Sequence, residues 1–256
     1  MPYPIYPDKF REKSLFTAKD LLNYQKKIGL YPKIKPPLGV IFTFQTNLMR
    51  YIVKNYPVKK VRFLFGDFYL LKDTDDKVGI CGNFGIGAPI AASLLEELTA
   101  FGIKYFILIG FAGSLQKNLQ LGSIVVCDRA IRDEGTSYHY VQSEKYSYPS
   151  SLLTEKIIET IKKRDLKYNL GTTWTIDAPY RETIKEINQY RDEGVLTVEM
   201  EASAVFAVAK YLKSEAAALF TISDYLGDDK WNIQFHLAIK HLPNLFLIAK
   251  ETLNSL

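Results

Sequence analysis

The 256-residue chain is poor in the residues that most often announce chemistry: it holds two cysteines, three histidines, three methionines and two tryptophans. Cys81 and Cys127 each sit in an apolar run, so buried free thiols are expected ahead of a disulfide. With so few histidines and no Cys-x-x-Cys pair, nothing resembles a metal centre, and no metal is expected. No apolar run approaches the roughly 20 residues of a membrane span, so a membrane partner is not expected. The opening Met1-Pro2-Tyr3-Pro4-Ile5-Tyr6-Pro7 has no apolar signal core, which predicts a cytoplasmic location. Long runs of one charge are missing too. The net charge is +5, yet the longest basic runs are Lys26-Lys27, Lys59-Lys60 and Lys162-Lys163-Arg164. A nucleic-acid binder gathers its cations into a stripe with interleaved aromatics, so nucleic acid is not an expected partner. A diffuse positive field still attracts small anions such as phosphate.

What is present is globular: 47% hydrophobic and 24% charged residues, enough for a sizeable core. Residues 1–37 read as an irregular, proline-punctuated lead-in with one helix, capped by Thr17 and ended by Gly29. Over 38–256, strands and helices alternate. Strands are expected at 38–44, 61–65, 77–81, 103–109, 123–127, 170–176, 195–198 and 216–222. Helices are expected at 47–55, 88–101, 151–164, 181–191, 201–212 and 243–253. The alternation predicts a single-domain α/β fold with a mixed, mostly parallel central sheet sandwiched by helices. Ligands of such sheets bind beyond the carboxyl ends of the strands.

Four strand ends stand out. Gly82 to Pro89 contains Gly85 and Gly87, which fit close backbone approach to a ligand or a sharp strand-to-helix turn. Ile109-Gly110-Phe111-Ala112-Gly113-Ser114 follows the most apolar strand and allows the same two readings. Val198-Glu199-Met200-Glu201 places two carboxylates at the start of an apolar helix. Such charges cost free energy unless they bind something, although a glutamate also suits a helix N-terminus. Thr221-Ile222-Ser223-Asp224 ends in an aspartate that reads either as a turn cap or as a general acid whose carboxyl pKa burial has raised.

In this order the elements resemble the purine nucleoside and uridine phosphorylase superfamily, which includes methylthioadenosine-type nucleosidases. The resemblance runs from about Val40 to the C-terminus. It rests on Val198-Glu199-Met200-Glu201-Ala202, Gly85-Ile86-Gly87-Ala88-Pro89, Ile109 to Gly113, Gly122-Ser123-Ile124-Val125-Val126, and Ser223-Asp224. It implies a pentosyltransferase of nucleoside metabolism, with purine salvage as its setting, that cleaves the N-glycosidic bond of a ribonucleoside, purine before uridine. Met200, Glu201, Glu199 and His139 would meet the ribose. Asp224, Ser223, Tyr180 and Arg181 would meet the base. Gly85, Gly87, Gly110, Phe111 and Ala112 would frame the phosphate or nucleophile pocket. Asp224 and Glu201 are the expected catalytic pair: one supplies a proton to the departing base, the other stabilises the cationic sugar. No cofactor is implied beyond inorganic phosphate as co-substrate, and a homo-oligomer, a dimer or a trimer of dimers, is expected.

The chain departs from the family at the phosphate shell. The Gly-Asp-Pro-x-Arg motif is replaced by Phe42-Thr43-Phe44-Gln45-Thr46-Asn47. The arginine before the Ile-Gly-x-x-Gly element is Leu108, and the hydroxyl residue inside that element is Phe111. These departures raise a hydrolase that uses water as the alternative. A non-catalytic nucleoside-binding or storage relative is the alternative of another class. Arg181 also reads as a helix-capping residue, and His139 as a surface loop histidine.

Overall fold

The computed structural model describes residues 6, 8–63, 66–227 and 230–256. In chain order the strands are β1 (Gly39–Thr43), β2 (Val58–Val61), β3 (Asp67–Leu71), β4 (Val78–Gly82), β5 (Tyr105–Ser114), β6 (Ile124–Asp133), β7 (Tyr146–Ser147), β8 (Asn169–Ile176), β9 (Thr197–Glu199), β10 (Glu215–Gly227) and β11 (Lys230–Ile233). The helices are α1 (Ala18–Lys27), α2 (Thr46–Asn55), α3 (Ala88–Phe101), α4 (Ser151–Lys163), α5 (Ile184–Asp192), α6 (Ala202–Leu212), α7 (Phe235–Ala238) and α8 (Leu242–Asn254).

All strands join one mixed sheet in the order β11-β10-β6-β8-β9-β5-β1-β4-β3-β2, with β7 beside β6. Its longest ladders, β5 with β10 and β6 with β8, are parallel. Because β10 pairs with both β6 and β5, the strands β5, β10, β6, β8 and β9 close into a ring of pairings. The helices cover both faces, as expected. In β5, Phe106 and Leu108 pack with α1, α3 and α6, while Ile107 and Ile109 pack with α2, α4 and α8. This two-residue period is that of a strand buried on both sides. Each such side chain withdrawn from water contributes about 1.5–3 kcal/mol.

Local chemistry explains the helix ends. Thr17 donates from its N–H and Oγ to Asp20 Oδ2 at 2.9 and 2.8 Å, opening α1. Leu22 of α1 joins the core against α3, so the lead-in is packed rather than detached. In α3, Pro89 lies in the first turn and Gly102, at φ 115°, closes the helix in the left-handed region. Cys81 and Cys127 are free and buried, as expected.

The structure corrects several boundaries. The Ile109–Ser114 segment is not a turn: β5 runs on through Ser114. Gly113 is needed there because a Cβ would lie 2.4 Å from Leu226 Cδ1. Strands β6 and β10 also overrun their expected ends, because β6 stays paired with β8 and β10 with β5. The expected strand at 61–65 is instead β2, which ends at Val61 and pairs with the unforeseen β3; residues 64 and 65 lie outside the described ones. The helix expected at 181–191 starts only at Ile184, after a 3-10 turn over Pro179–Arg181. Strand β11 and helix α7 were not foreseen.

Candidate active site

Where β5, β9 and β10 meet, a cavity of about 500 Å³ opens. The register of β10 against β5 shifts between Ile222 and Asp224, which leaves Ser223 as the extra residue of a bulge. Bulges re-aim side chains, and here both Ser223 and Asp224 are buried on the cavity wall. Ser223 Oγ donates to Asp224 Oδ1 at 2.6 Å, and the Trp231 indole N–H donates to Asp224 Oδ2 at 2.7 Å. Burial raises the Asp224 pKa, and these two hydrogen bonds oppose the rise.

A second carboxyl shares the space. Glu182, just past the 3-10 turn, lines the same cavity with no hydrogen bond to any described residue. Its pKa is pushed up to about 7, first by burial and then by the charges of Asp224 and Glu186. Arg191 faces the cavity too, and each of its three guanidinium nitrogens donates to the protein. Nε bonds Leu115 O at 2.9 Å, Nη2 bonds Leu226 O at 3.0 Å and Nη1 bonds Asn188 Oδ1 at 2.7 Å. That guanidinium pins α5 to β10 and to the end of β5. Lys230 of β11 also reaches the wall.

The Glu-Met-Glu element divides. Met200 and Glu199 line the cavity. Glu199, whose charge lacked a packing explanation in the sequence, has a structural one. Its Oε2 accepts the N–H groups of Glu201 and Ala202, both at 2.8 Å, and its Oε1 accepts Thr175 Oγ1 at 2.5 Å. It thereby satisfies the free donors at the start of α6. Glu201 is buried beside the cavity rather than on its wall, and its Oε1 accepts the Gly87 N–H at 2.5 Å. Burial raises its pKa first, and the neighbouring Glu199 charge adds to the shift. Gly85 and Gly87, at φ 98° and 102°, form the expected turn against it.

Other expected residues fall variously. Phe111 and Ala112 line the cavity, and the Phe111 ring stacks on Phe235 at 6.3 Å and 15°. Tyr180 stands at the mouth, 91% exposed. Gly110 lies within β5, with open space where a Cβ would point. Arg181 is exposed and off the wall. His139 is exposed in the loop after β6, with Lys9 Nζ 2.8 Å from its Nδ1, and it does not reach the cavity. Trp231 and Phe235 went unmarked in the sequence. The one available signal was Trp231, one of two tryptophans, standing in a polar stretch. Among the described residues, no cluster of His, Cys, Asp or Glu is fit to hold a metal ion, and no helix is long and apolar enough to cross a membrane.

The ring-closed α/β sheet thus carries a cavity with the buried Asp224 on its wall and the Glu-Met-Glu helix start at its edge. The chain belongs to the phosphorylase superfamily, whose profile matches residues 39–242. It is 33% identical over 147 residues to the guanosine phosphorylase of Halorubrum lacusprofundi, across 57% of this chain and 61% of that protein. It is 30% identical over 171 residues to a DeoD-type purine nucleoside phosphorylase of Shewanella oneidensis, across 66% and 71%. The crystal structure of uridine phosphorylase from Vibrio fischeri complexed with 6-hydroxy-1-naphthoic acid superposes with a TM-score of 0.73 at 26% identity, over 87% of this chain and 91% of that one. The chain thus spans less than two thirds of the length of the guanosine phosphorylase it matches.

Proposed function

We propose that the chain cleaves the N-glycosidic bond of a ribonucleoside and prefers purine nucleosides to uridine. The observation that carries this reading is Asp224: a buried carboxyl on the cavity wall, with a raised pKa, at a strand bulge that aims it inward. A departing purine needs a proton at its imidazole nitrogen, and a carboxyl whose pKa burial raises is suited to supply one. A uracil ring has no basic nitrogen there. Guanosine and purine nucleoside phosphorylases among the relatives support the purine. Glu182 offers a second carboxylate to N–H groups on the far edge of a base.

As the glycosidic bond breaks, its electron pair passes to the base, which takes the Asp224 proton. Positive charge develops on the ribose, whose hydroxyls the nearby Glu201 carboxyl orients. In phosphorolysis a phosphate oxygen then bonds to the sugar carbon, and no cofactor beyond phosphate is required. Hydrolysis is the second reading, favoured by Leu108 at the core of β5 and Phe111 on the cavity wall, where the family carries an arginine and a hydroxyl. Incubation with inosine, guanosine, adenosine, uridine and methylthioadenosine, with and without phosphate, separates them. Free base with ribose 1-phosphate means a phosphorylase, free base with ribose means a hydrolase, and no free base from any nucleoside refutes the proposal in both forms.

A further inference from the structure

Trp231 lies on β11, whose four residues are all exposed, and is itself 51% exposed. Two sets of contacts fix its ring. On one side it meets Phe235 edge-on at 6.1 Å, and Phe235 stacks in turn on Phe111. On the other its N–H reaches Asp224 Oδ2 at 2.7 Å. The antiparallel register sets Trp231 opposite Leu226, so Asp224 is its diagonal neighbour across the hairpin, within reach of a long side chain.

The two donors on Asp224 are not equivalent. Ser223 Oγ rotates, and it also lies 3.4 Å from Ala112 O, so it has another acceptor to turn to. The indole nitrogen only donates, and it cannot turn away without breaking the aromatic contacts. Charged or titratable groups on the same wall are Glu182 and Arg191 from the segment around α5, Tyr180 at the mouth, Glu199 at the end of β9 and Lys230 beside Trp231 on β11. The stretch of β5 on the wall, Phe111 to Gly113, and Phe235 of α7 bring none. Of these, Glu182 is the one whose pKa the Asp224 charge raises.

We propose that Trp231 is the positioning residue of Asp224: its indole N–H holds the carboxyl aimed into the cavity and sets the pH up to which that carboxyl keeps a proton to give. When the carboxyl passes its proton to the departing base, the carboxylate left behind is the form the indole bond stabilises, and solvent later restores the proton. The catalytic part of this inference rests on the nucleoside-cleaving reading; the pairing of the two side chains does not.

Two measurements test it. The chain has two tryptophans, hence two indole N–H resonances, and Trp231→Phe identifies one. That resonance is expected to move through a titration step in the wild type and to lose the step in Asp224→Asn. The second measurement is kcat/KM against pH for the best nucleoside. In Trp231→Phe the limb on which activity falls with rising pH is expected to shift upward by about one pH unit or more, the scale of one hydrogen bond to a charged acceptor. A purely structural role for the ring would lower activity without moving that limb. An indole resonance that titrates identically in Asp224→Asn, or an unmoved limb in folded Trp231→Phe, overturns the proposal. A titrating indole in a protein that cleaves no nucleoside supports the pairing and refutes the functional reading instead. Should Trp231→Phe fail to fold, the comparison of wild type with Asp224→Asn decides.

Discussion

Replacing Asp224 by Asn removes a proton while keeping nearly every contact. The wild-type carboxyl accepts from Ser223 Oγ and from Trp231 Nε1. An Asn side chain placed with its oxygen toward Trp231 keeps the second bond, and its amide then faces Ser223 Oγ, which rotates to accept. The structural loss is at most one neutral hydrogen bond, about 0.5–1.5 kcal/mol, and it is offset by removing a buried carboxyl whose charged form burial disfavours. Melting temperature should therefore stay within a few degrees of wild type. Chemistry should not: general acid catalysis is worth about 10²–10⁴-fold, or roughly 2.7–5.5 kcal/mol of barrier. The loss should fall on kcat and kcat/KM together, because the proton moves only in the transition state. Steady-state rates on inosine and guanosine, with a thermal melt of both proteins, measure the two effects separately. A stable Asp224→Asn protein within about tenfold of wild-type turnover would show that the base leaves without this carboxyl, and the purine assignment would fall with it.

The remaining predictions concern the supports of the site. Glu201→Gln keeps an acceptor for the Gly87 N–H and should fold normally with weakened nucleoside affinity, whereas Glu201→Ala strands that buried donor and should also lower stability by about 1–3 kcal/mol; calorimetric titration and chemical denaturation read the two, and unchanged affinity in both removes Glu201 from the ligand. Gly113→Ala drives a Cβ to 2.4 Å from Leu226 Cδ1 and 3.1 Å from Asp224 Oδ2, so it should cost about 1–3 kcal/mol by overpacking and disturb Asp224; a neutral melt with normal activity would contradict the packing. Glu182, raised to about 7 in the fold from about 4.3 in an unfolded chain, binds its proton more tightly when folded, so its contribution to stability falls as pH rises between those values. Glu182→Gln should therefore raise the melting temperature more at pH 8 than at pH 5, and an equal change at both pH values would refute the shift. Light scattering should return a mass well above the 29.3 kDa of one chain, and a monomer at working concentration would remove the expected homo-oligomer.

Much of this architecture is legible in the sequence because its strands are buried on both faces. Runs such as 103–109 and 216–222 carry almost no polar residue, and α3 announces both its ends through Pro89 and Gly102. The illegible parts are those set by pairing rather than by composition. Gly110 and Gly113 look like a turn because nothing local says that β10 lies alongside, with Leu226 occupying the space a side chain at Gly113 would take. The exposed Lys230–Ile233 strand is only four residues long, too short for its alternation to stand out, and its antiparallel partner β10 makes it a strand. The same reason hid half of the site. Asp224 closes a readable apolar strand, but Trp231 reaches it through a hairpin, and Glu182 reaches it through a 3-10 turn whose direction no residue pattern gives.

The Glu-Met-Glu element shows how one short motif combines a structural and a chemical charge. Glu199 gathers two backbone N–H groups and a threonine hydroxyl at the positive end of α6, and these bonds oppose the rise that burial imposes on its pKa. Two residues on, Glu201 is equally buried, and its pKa is raised first by that burial and then by the Glu199 charge. The pair thus divides into a side chain that starts the helix through three hydrogen bonds and one that meets the glycine turn. The Gly87 N–H aims the second one, and only a backbone at positive φ brings the turn close enough to do so. The glycine turn and Glu201 are therefore one unit. A side chain forced into positive φ at Gly87 would be felt first as a misdirected Glu201, which is why a turn that looks purely structural in the sequence belongs to the site.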